Sequence, residues 1–258
     1  MKKNYLFSIS FILISCLCCF QSFCQGSQND SLLANSEKWK VQSKKNLMGL
    51  SRPVFGDYTT LDIIKLDSGR MKQKIKDSSD LSFELSGSGG SDWDQSKFLT
   101  IKKNRVFRLR LASKADTTKA IFSIASESKE KRQTFLGKIL SKNDEGKNEE
   151  LSYRRDIPGV IITNDIDEQW QFFIGDFSGG VISSISSGYL KNGKDSLTIQ
   201  QYSSFNSNLV LVNTEGAHLA ALKYKVKPFY IWIRNDLKPS YRQAIAAFFA
   251  VIIAVKDF

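Results

Sequence analysis

Pro239-Ser240-Tyr241-Arg242-Gln243-Ala244-Ile245-Ala246-Ala247-Phe248-Phe249-Ala250-Val251-Ile252-Ile253-Ala254-Val255 is the stretch on which the fold turns. From Ala244 to Val255, twelve consecutive residues lack a polar side chain. Ser240 and Gln243 have the spacing of a capping box, so the pattern predicts a helix over about 240–256. At 1.5 Å per residue that helix would be ~24 Å long. It is apolar on every face, and such a helix has to be surrounded by protein. Twelve apolar residues are too few for a bilayer, which takes about 20. The expectation is a buried core helix, not a membrane anchor.

What surrounds it is written upstream. From Asp57 onward, short apolar runs recur with turn residues between them. They predict strands over Tyr58–Leu66, Arg70–Ile75, Leu81–Leu85, Phe98–Lys102, Val106–Ala112, Ala120–Ala125, Gly159–Thr163, Trp170–Ile174, Val181–Ile185, Leu197–Tyr202, Leu209–Asn213, His218–Val226 and Phe229–Arg234. Many short strands at this spacing indicate an all-β sandwich or barrel. Asn213-Thr214-Glu215-Gly216 reads as a hairpin turn, with glycine supplying the positive φ. The charged run 143–150 reads as a loop, and Glu127–Leu140 fits a strand or a short helix equally well.

The strand Phe229-Tyr230-Ile231-Trp232-Ile233-Arg234, followed by the apolar segment Ala244–Val255 and Lys256-Asp257-Phe258, resembles the end of a tubby C-terminal-like domain. That superfamily includes tubby proteins, plant LURP-one-related proteins and phospholipid scramblases. The resemblance covers residues 57–258 in architecture and rests on no short motif, so no functional residue is carried over. It implies an all-β fold with one C-terminal helix: a closed barrel of about twelve mostly antiparallel strands around a buried hydrophobic C-terminal helix. It also implies a binding role at anionic lipid.

The other end of the chain reads as an export signal. Met1-Lys2-Lys3-Asn4 is positive, an apolar run follows from Tyr5 to Phe20, and no acid precedes Asp30. Those are the marks of a secretory signal peptide, expected over residues 1–24. Ser22-Phe23-Cys24 offers a cut that leaves Gln25 first. Leu13-Ile14-Ser15-Cys16 offers another, as a lipobox with Cys16 lipidated. All four cysteines (Cys16, Cys18, Cys19, Cys24) precede Gln25, so a cut after Cys24 leaves a domain with no thiolate site and no disulfide. Residues 25–56 are polar and without clear period. They read as an N-terminal segment outside a barrel domain that spans 57–258.

Net charge is +11, and removing Lys2 and Lys3 with the signal lowers it by only two. For an exported chain this favours anionic partners of the envelope, lipid headgroups or acidic polysaccharide, over nucleic acid. Period-two alternation puts Arg108 and Arg110 on one sheet face, opposite Phe107, Leu109 and Leu111. The same rule groups Lys223, Lys225 and Lys227. These five cations are the candidate ligand-binding residues, suited to phosphate or carboxylate groups. His218, the only histidine of the chain, has no histidine partner for a metal and reads as a strand-end residue bonded to backbone. Asp92-Trp93-Asp94 and Asp165-Ile166-Asp167-Glu168 pair carboxylates but complete no calcium loop. Ser86-Gly87-Ser88-Gly89-Gly90 fits neither nucleotide-loop pattern. No catalytic residue, metal or cofactor is implied. The expected function is an exported, non-enzymatic binding module for anionic lipid or another envelope ligand. The alternative is a scaffold for protein partners with no small-molecule ligand.

Overall fold

A computed structural model describes residues 32, 35–45, 49–74, 96–114, 116–133, 149–163, 168–176, 185–202, 208–224 and 226–256. The expected signal and its cleavage sites, the strand at 81–85, the 92–94 carboxylates, most of the 143–150 loop, Asp165, Asp167 and Lys225 lie outside them.

Alternation does locally what the sequence promises. In Phe107, Leu109 and Leu111 the odd positions are buried, and opposite them Phe122, Ala120 and Thr118 are buried too. Repetition of that pattern gives thirteen antiparallel strands: β1 (Ser36–Lys40), β2 (Gln42–Lys45), β3 (Ser51–Phe55), β4 (Tyr58–Lys74), β5 (Ser96–Ala112), β6 (Thr117–Gln133), β7 (Glu149–Ile162), β8 (Gln169–Asp176), β9 (Ile185–Lys191), β10 (Ser196–Tyr202), β11 (Asn208–Asn213), β12 (His218–Lys223) and β13 (Tyr230–Arg234). The ladder runs β1-β13-β12-β11-β10-β9-β8-β7-β6-β5-β4-β3-β2. Its two ends are thus consecutive in the chain. Only Val41 separates β1 from β2, and its N–H donates to the Phe229 carbonyl at 2.9 Å. β1 and β2 act as one interrupted strand that nearly closes the sheet into a barrel, as full closure removes sheet edges.

The helix α1 (Pro239–Val255) lies inside, and every residue from Gln243 to Val255 is buried. It packs on β3, β5, β6, β7 and β13. Tyr241 meets Trp170 edge-on at 4.7 Å and Phe248 meets Phe172 at 5.6 Å, so α1 advances along β8 from its start inward. The expected capping box does not form. Pro239, with its preset φ and missing N–H, occupies the first turn, and Lys238 is the cap without a side-chain bond. Ser240 Oγ instead donates to Glu168 Oε2 at 3.0 Å, and Gln243 Nε2 donates to Asp116 Oδ2 at 3.2 Å. These bonds pin the start of α1 to the β5–β6 and β7–β8 connections, at one end of the barrel.

The N-terminal segment differs from expectation. Residues 36–55, read as a polar stretch outside the domain, hold β1, β2 and β3. They look polar because β2 is exposed throughout, β1 is at most half-buried, and β3 buries one face only; in β3, Ser51, Pro53 and Phe55 are buried while Arg52 and Val54 face out. Trp39, Phe55 and Tyr58 form an aromatic seam there, with centroids 5.5–6.3 Å apart. Several expected strands also fuse: 58–66 with 70–75 into β4, and 98–102 with 106–112 into β5. The 127–140 segment is strand as far as Gln133. The hairpin at 213–216 forms as read: Gly216 has φ 82°, and Asn213 Oδ1 accepts from the Ala217 N–H at 2.8 Å.

β4, β5 and β6 have 17 residues each. At ~3.4 Å per residue they reach about 55–60 Å, while the 17 residues of α1 reach ~25 Å. The strands outrun the helix by about half their length. With β7 they continue beyond the helix as a four-stranded extension, opposite the end where α1 starts, and Ile101 and Ser128 are still buried there.

Candidate functional site

Register defines the two faces of this extension. Phe107 pairs with Lys65 on β4 and Phe122 on β6, and this row faces the barrel interior. Counting outward along β5 in steps of two, Arg105 pairs with Ser68 and Lys103 with Arg70. The inner face therefore carries Lys65, Ser68 and Arg70 on β4 beside Lys103 and Arg105 on β5. These residues, with Gly69 and Phe107, line an open pocket of about 480 Å³. Phe107, 1% exposed, forms its floor. Among the described residues, four cations line the pocket and no carboxylate does.

A β-bulge makes this arrangement. The β4–β5 register shifts between Lys65 and Asp67, so Leu66 is the extra residue and Asp67 pairs with Val106 on the outer face. Since a one-residue slip exchanges the two faces, an unbulged strand would turn Asp67, Gly69 and Met71 inward. The bulge removes an acid from the pocket and puts Ser68 and Arg70 in its place. Asp67 Oδ1 accepts from the Ser68 N–H at 2.7 Å, which holds the turn. A second bulge lies at Thr60/Asp62, where Arg52 Nη2 donates to the carbonyls of Thr60 and Leu61.

The outer face of the same strands carries several ion pairs. Lys102 pairs with Glu127 at 3.2 Å, and Arg154 with Asp156 at 2.9 Å. Arg108 and Arg110 also lie on this outer face, as alternation predicts. Arg110 Nε and Nη2 both donate to Asp62 Oδ2, and the guanidinium bonds hold the Asp62 carboxyl below its usual range. Arg110 is thus committed to a structural pair.

The second predicted set lies elsewhere on the barrel. Lys223, on β12, sits 5.9 Å from the Tyr230 ring, which also carries Lys38 at 4.4 Å. Lys227 is exposed in the β12–β13 connection, and Lys225 lies outside the described residues. Four staves, the joined β1/β2, β3, β4 and β13, separate β5 from β12 by the shorter way round. The structure therefore does not bring Arg108 and Arg110 together with Lys223 and Lys227.

His218 is buried at the head of β12, and burial pushes its imidazole pKa down. Glu168 is engaged with Ser240. Among the described residues no group of three or more His, Cys, Asp or Glu could hold a metal ion, and no helix is long and apolar enough to cross a membrane.

Sequence reasoning missed Lys65, Ser68, Arg70, Lys103 and Arg105. One signal was available: Arg105 shares parity with Phe107, Leu109 and Leu111, which places a cation on the core face of a strand. Ser68 and Arg70 gave no such sign, because the bulge at Leu66 resets the alternation. Compared with known protein families, curated proteins and solved structures, the chain matches none.

Proposed function

We propose that this protein is an exported, non-enzymatic binding module whose ligand is anionic, and that the inner-face pocket of Lys65, Arg70, Lys103 and Arg105 is its site. The observation that carries the reading is the pocket lining, which among the described residues gathers Lys65, Arg70 and Lys103 beside Arg105 and includes no acid. Like charges held together cost free energy, and an anion relieves that cost. Two arginines supply the planar donor forks that suit phosphate and carboxylate.

The signal-like N-terminus and the basic balance of the chain support an envelope ligand such as a lipid headgroup. The circuit of twelve staves around an apolar C-terminal helix supports the tubby-like reading of the fold, and that reading agrees with a lipid headgroup.

Equilibrium titration with orthophosphate, and co-flotation with phosphatidylglycerol vesicles, test the site. Binding is expected at about 0.05 M salt and should fall steeply by about 0.5 M, where the Debye length shrinks below the pocket's width. The double change Lys103→Glu, Arg105→Glu should abolish it. Arg108→Ala, on the outer face of the same strand, should leave it within about twofold. Equal loss in both variants would mean a diffuse basic surface and no site.

A second reading, a scaffold for protein partners, draws on the outer face of β5–β9. There Val106, Ile121, Pro158, Val160 and Tyr189 line an apolar groove of about 380 Å³. Ile64 and Met71 extend that face, exposed by 40% and 53%. Anion binding that fails altogether, with the protein folded, would favour this reading.

A further inference from the structure

We infer that the outer face of β1, β13 and β12 is a second binding surface, and that its ligand is an acidic polysaccharide, an extended chain of sugar rings that carry carboxylates. The surface stands apart from the inner-face pocket, so either can fail without the other.

Strand pairing sets the face. Ile231 and Ile233 are buried in the core, so Tyr230 and Trp232 turn outward. Across the ladder Tyr230 pairs with Lys40 on β1 and Lys223 on β12, and Trp232 pairs with Lys38 and Ala221. Directly paired residues share a face. One rung therefore runs Lys40, Tyr230, Lys223. The next, about 7 Å along the strands, runs Lys38, Trp232, Ala221. Two half-buried aromatic rings with centroids 5.9 Å apart thus stand among three lysines.

Lys38 Nζ lies 4.4 Å from the Tyr230 ring centroid and 5.5 Å from that of Trp232, and Lys223 Nζ lies 5.9 Å from Tyr230. Attraction to the ring faces orders these ammonium groups without neutralising them. Among the described residues no carboxylate forms an ion pair with Lys38, Lys40 or Lys223. Trp232 is held as well, against Leu32, Val210, Val212 and Ala221, a small apolar cluster on the outside of the barrel. Rings and cations are in place before a ligand arrives, which lowers the ordering cost of binding.

Chemistry selects the ligand. The C–H groups on the flatter face of a sugar ring pack on the negative face of an aromatic ring. A uronic acid carboxylate accepts hydrogen bonds from lysine. The outside of a barrel is convex and does not enclose a small anion. Lys40 and Lys223 rise from strands two apart, about 10 Å. A run of linked sugars meets several of these lysines at once, each contact modest and the sum effective. The signal-like N-terminus agrees with a polymer found outside the cell.

The test is calorimetric titration of the full chain with polygalacturonate, neutral dextran and polyglutamate. Polygalacturonate should bind, more weakly at about 0.5 M salt than at about 0.05 M, and dextran should not. Polyglutamate, which offers carboxylates without sugar rings, should bind at least about fivefold more weakly. Lys38→Ala and Tyr230→Ala should each weaken polygalacturonate binding at least about fivefold, while Tyr230→Phe, which keeps the ring, stays within about twofold. Lys103→Ala, in the inner-face pocket, should also stay within about twofold. A thermal melt verifies each fold, and Lys38→Ala, at an exposed position, decides the matter if Tyr230→Ala melts early.

Polyglutamate that binds as tightly as polygalacturonate would overturn the sugar reading. Polygalacturonate binding that survives Lys38→Ala would overturn the site. Phosphatidylglycerol vesicles that bind the chain when polygalacturonate does not would overturn the proposal in favour of a membrane surface.

Discussion

Gly159 faces the barrel interior between Phe122 and Phe172. A Cβ there would sit 2.4 Å from the Phe172 ring and 2.7 Å from the Ile121 carbonyl oxygen. The ring tip could swing aside, but the backbone oxygen cannot. Gly159→Ala should therefore cost ~1–3 kcal/mol, the range of overpacked cores, read as a lowered midpoint in denaturant unfolding. Tyr241 is informative in another way. Burial pushes its hydroxyl pKa from 10.0 up to about 12. A raised acid pKa means that the unfolded chain loses its proton first, so stability is complete below pH 10 and declines as pH climbs toward 12. Tyr241→Phe should flatten that part of the melting profile. At this scale the sequence was only partly legible. Parity placed Arg108 and Arg110 on the outward face correctly. It could not show that Asp62 waits opposite Arg110, since 48 residues separate them. Nor could it show that two lysines and two arginines from separate strands converge on the inner face.

The apolar run at 244–255 was legible because no exposed or membrane setting suits a twelve-residue helix apolar all round. Its burial inside the sheet is the structural counterpart. Removal of Phe248 and Phe249 from water alone contributes ~1.5–3 kcal/mol each, against a net stability of ~5–15 kcal/mol for a whole domain. Phe248→Asp would leave a cavity and an unpaired charge against Phe172, so circular dichroism should show no cooperative melt. The strands were harder to read. Alternation is interrupted at each bulge, so one 17-residue strand, β4, looked like two. The first three strands escaped because Ser, Lys, Arg and Gln dominate their outer faces, while their inner residues, such as Trp39 and Phe55, are few. The helix cap was misread for a local reason. Ser240 and Gln243 have capping spacing, but Pro239 starts the helix and frees both side chains to bond Glu168 and Asp116 across the barrel.

Every strand from β3 to β13 pairs with its neighbour in sequence, so most of the barrel is a simple meander. The exception is the joined pair β1 and β2, which has to pair with both ends of that meander. Arg242, in the first turn of α1, lies 5.9 Å from the Trp39 ring at this seam. Closure and helix burial are therefore one event: the seam needs α1 in place, and α1 needs the seam shut. The pocket depends on this in turn, because β4 and β5 hold their inner cations in register only while their lower halves are fixed around the helix. The charge anatomy of the extension would then follow from the core. Hydrogen exchange resolved at the amides of Phe248 to Ile253 tests this coupling most directly. The account predicts that they exchange only through global unfolding, with opening free energies equal to those of the slowest amides in β5 and β6 and to the denaturant value. Helix amides that exchange through a lower-energy opening, while β5 and β6 stay protected, would contradict a barrel closed around its own C-terminal helix.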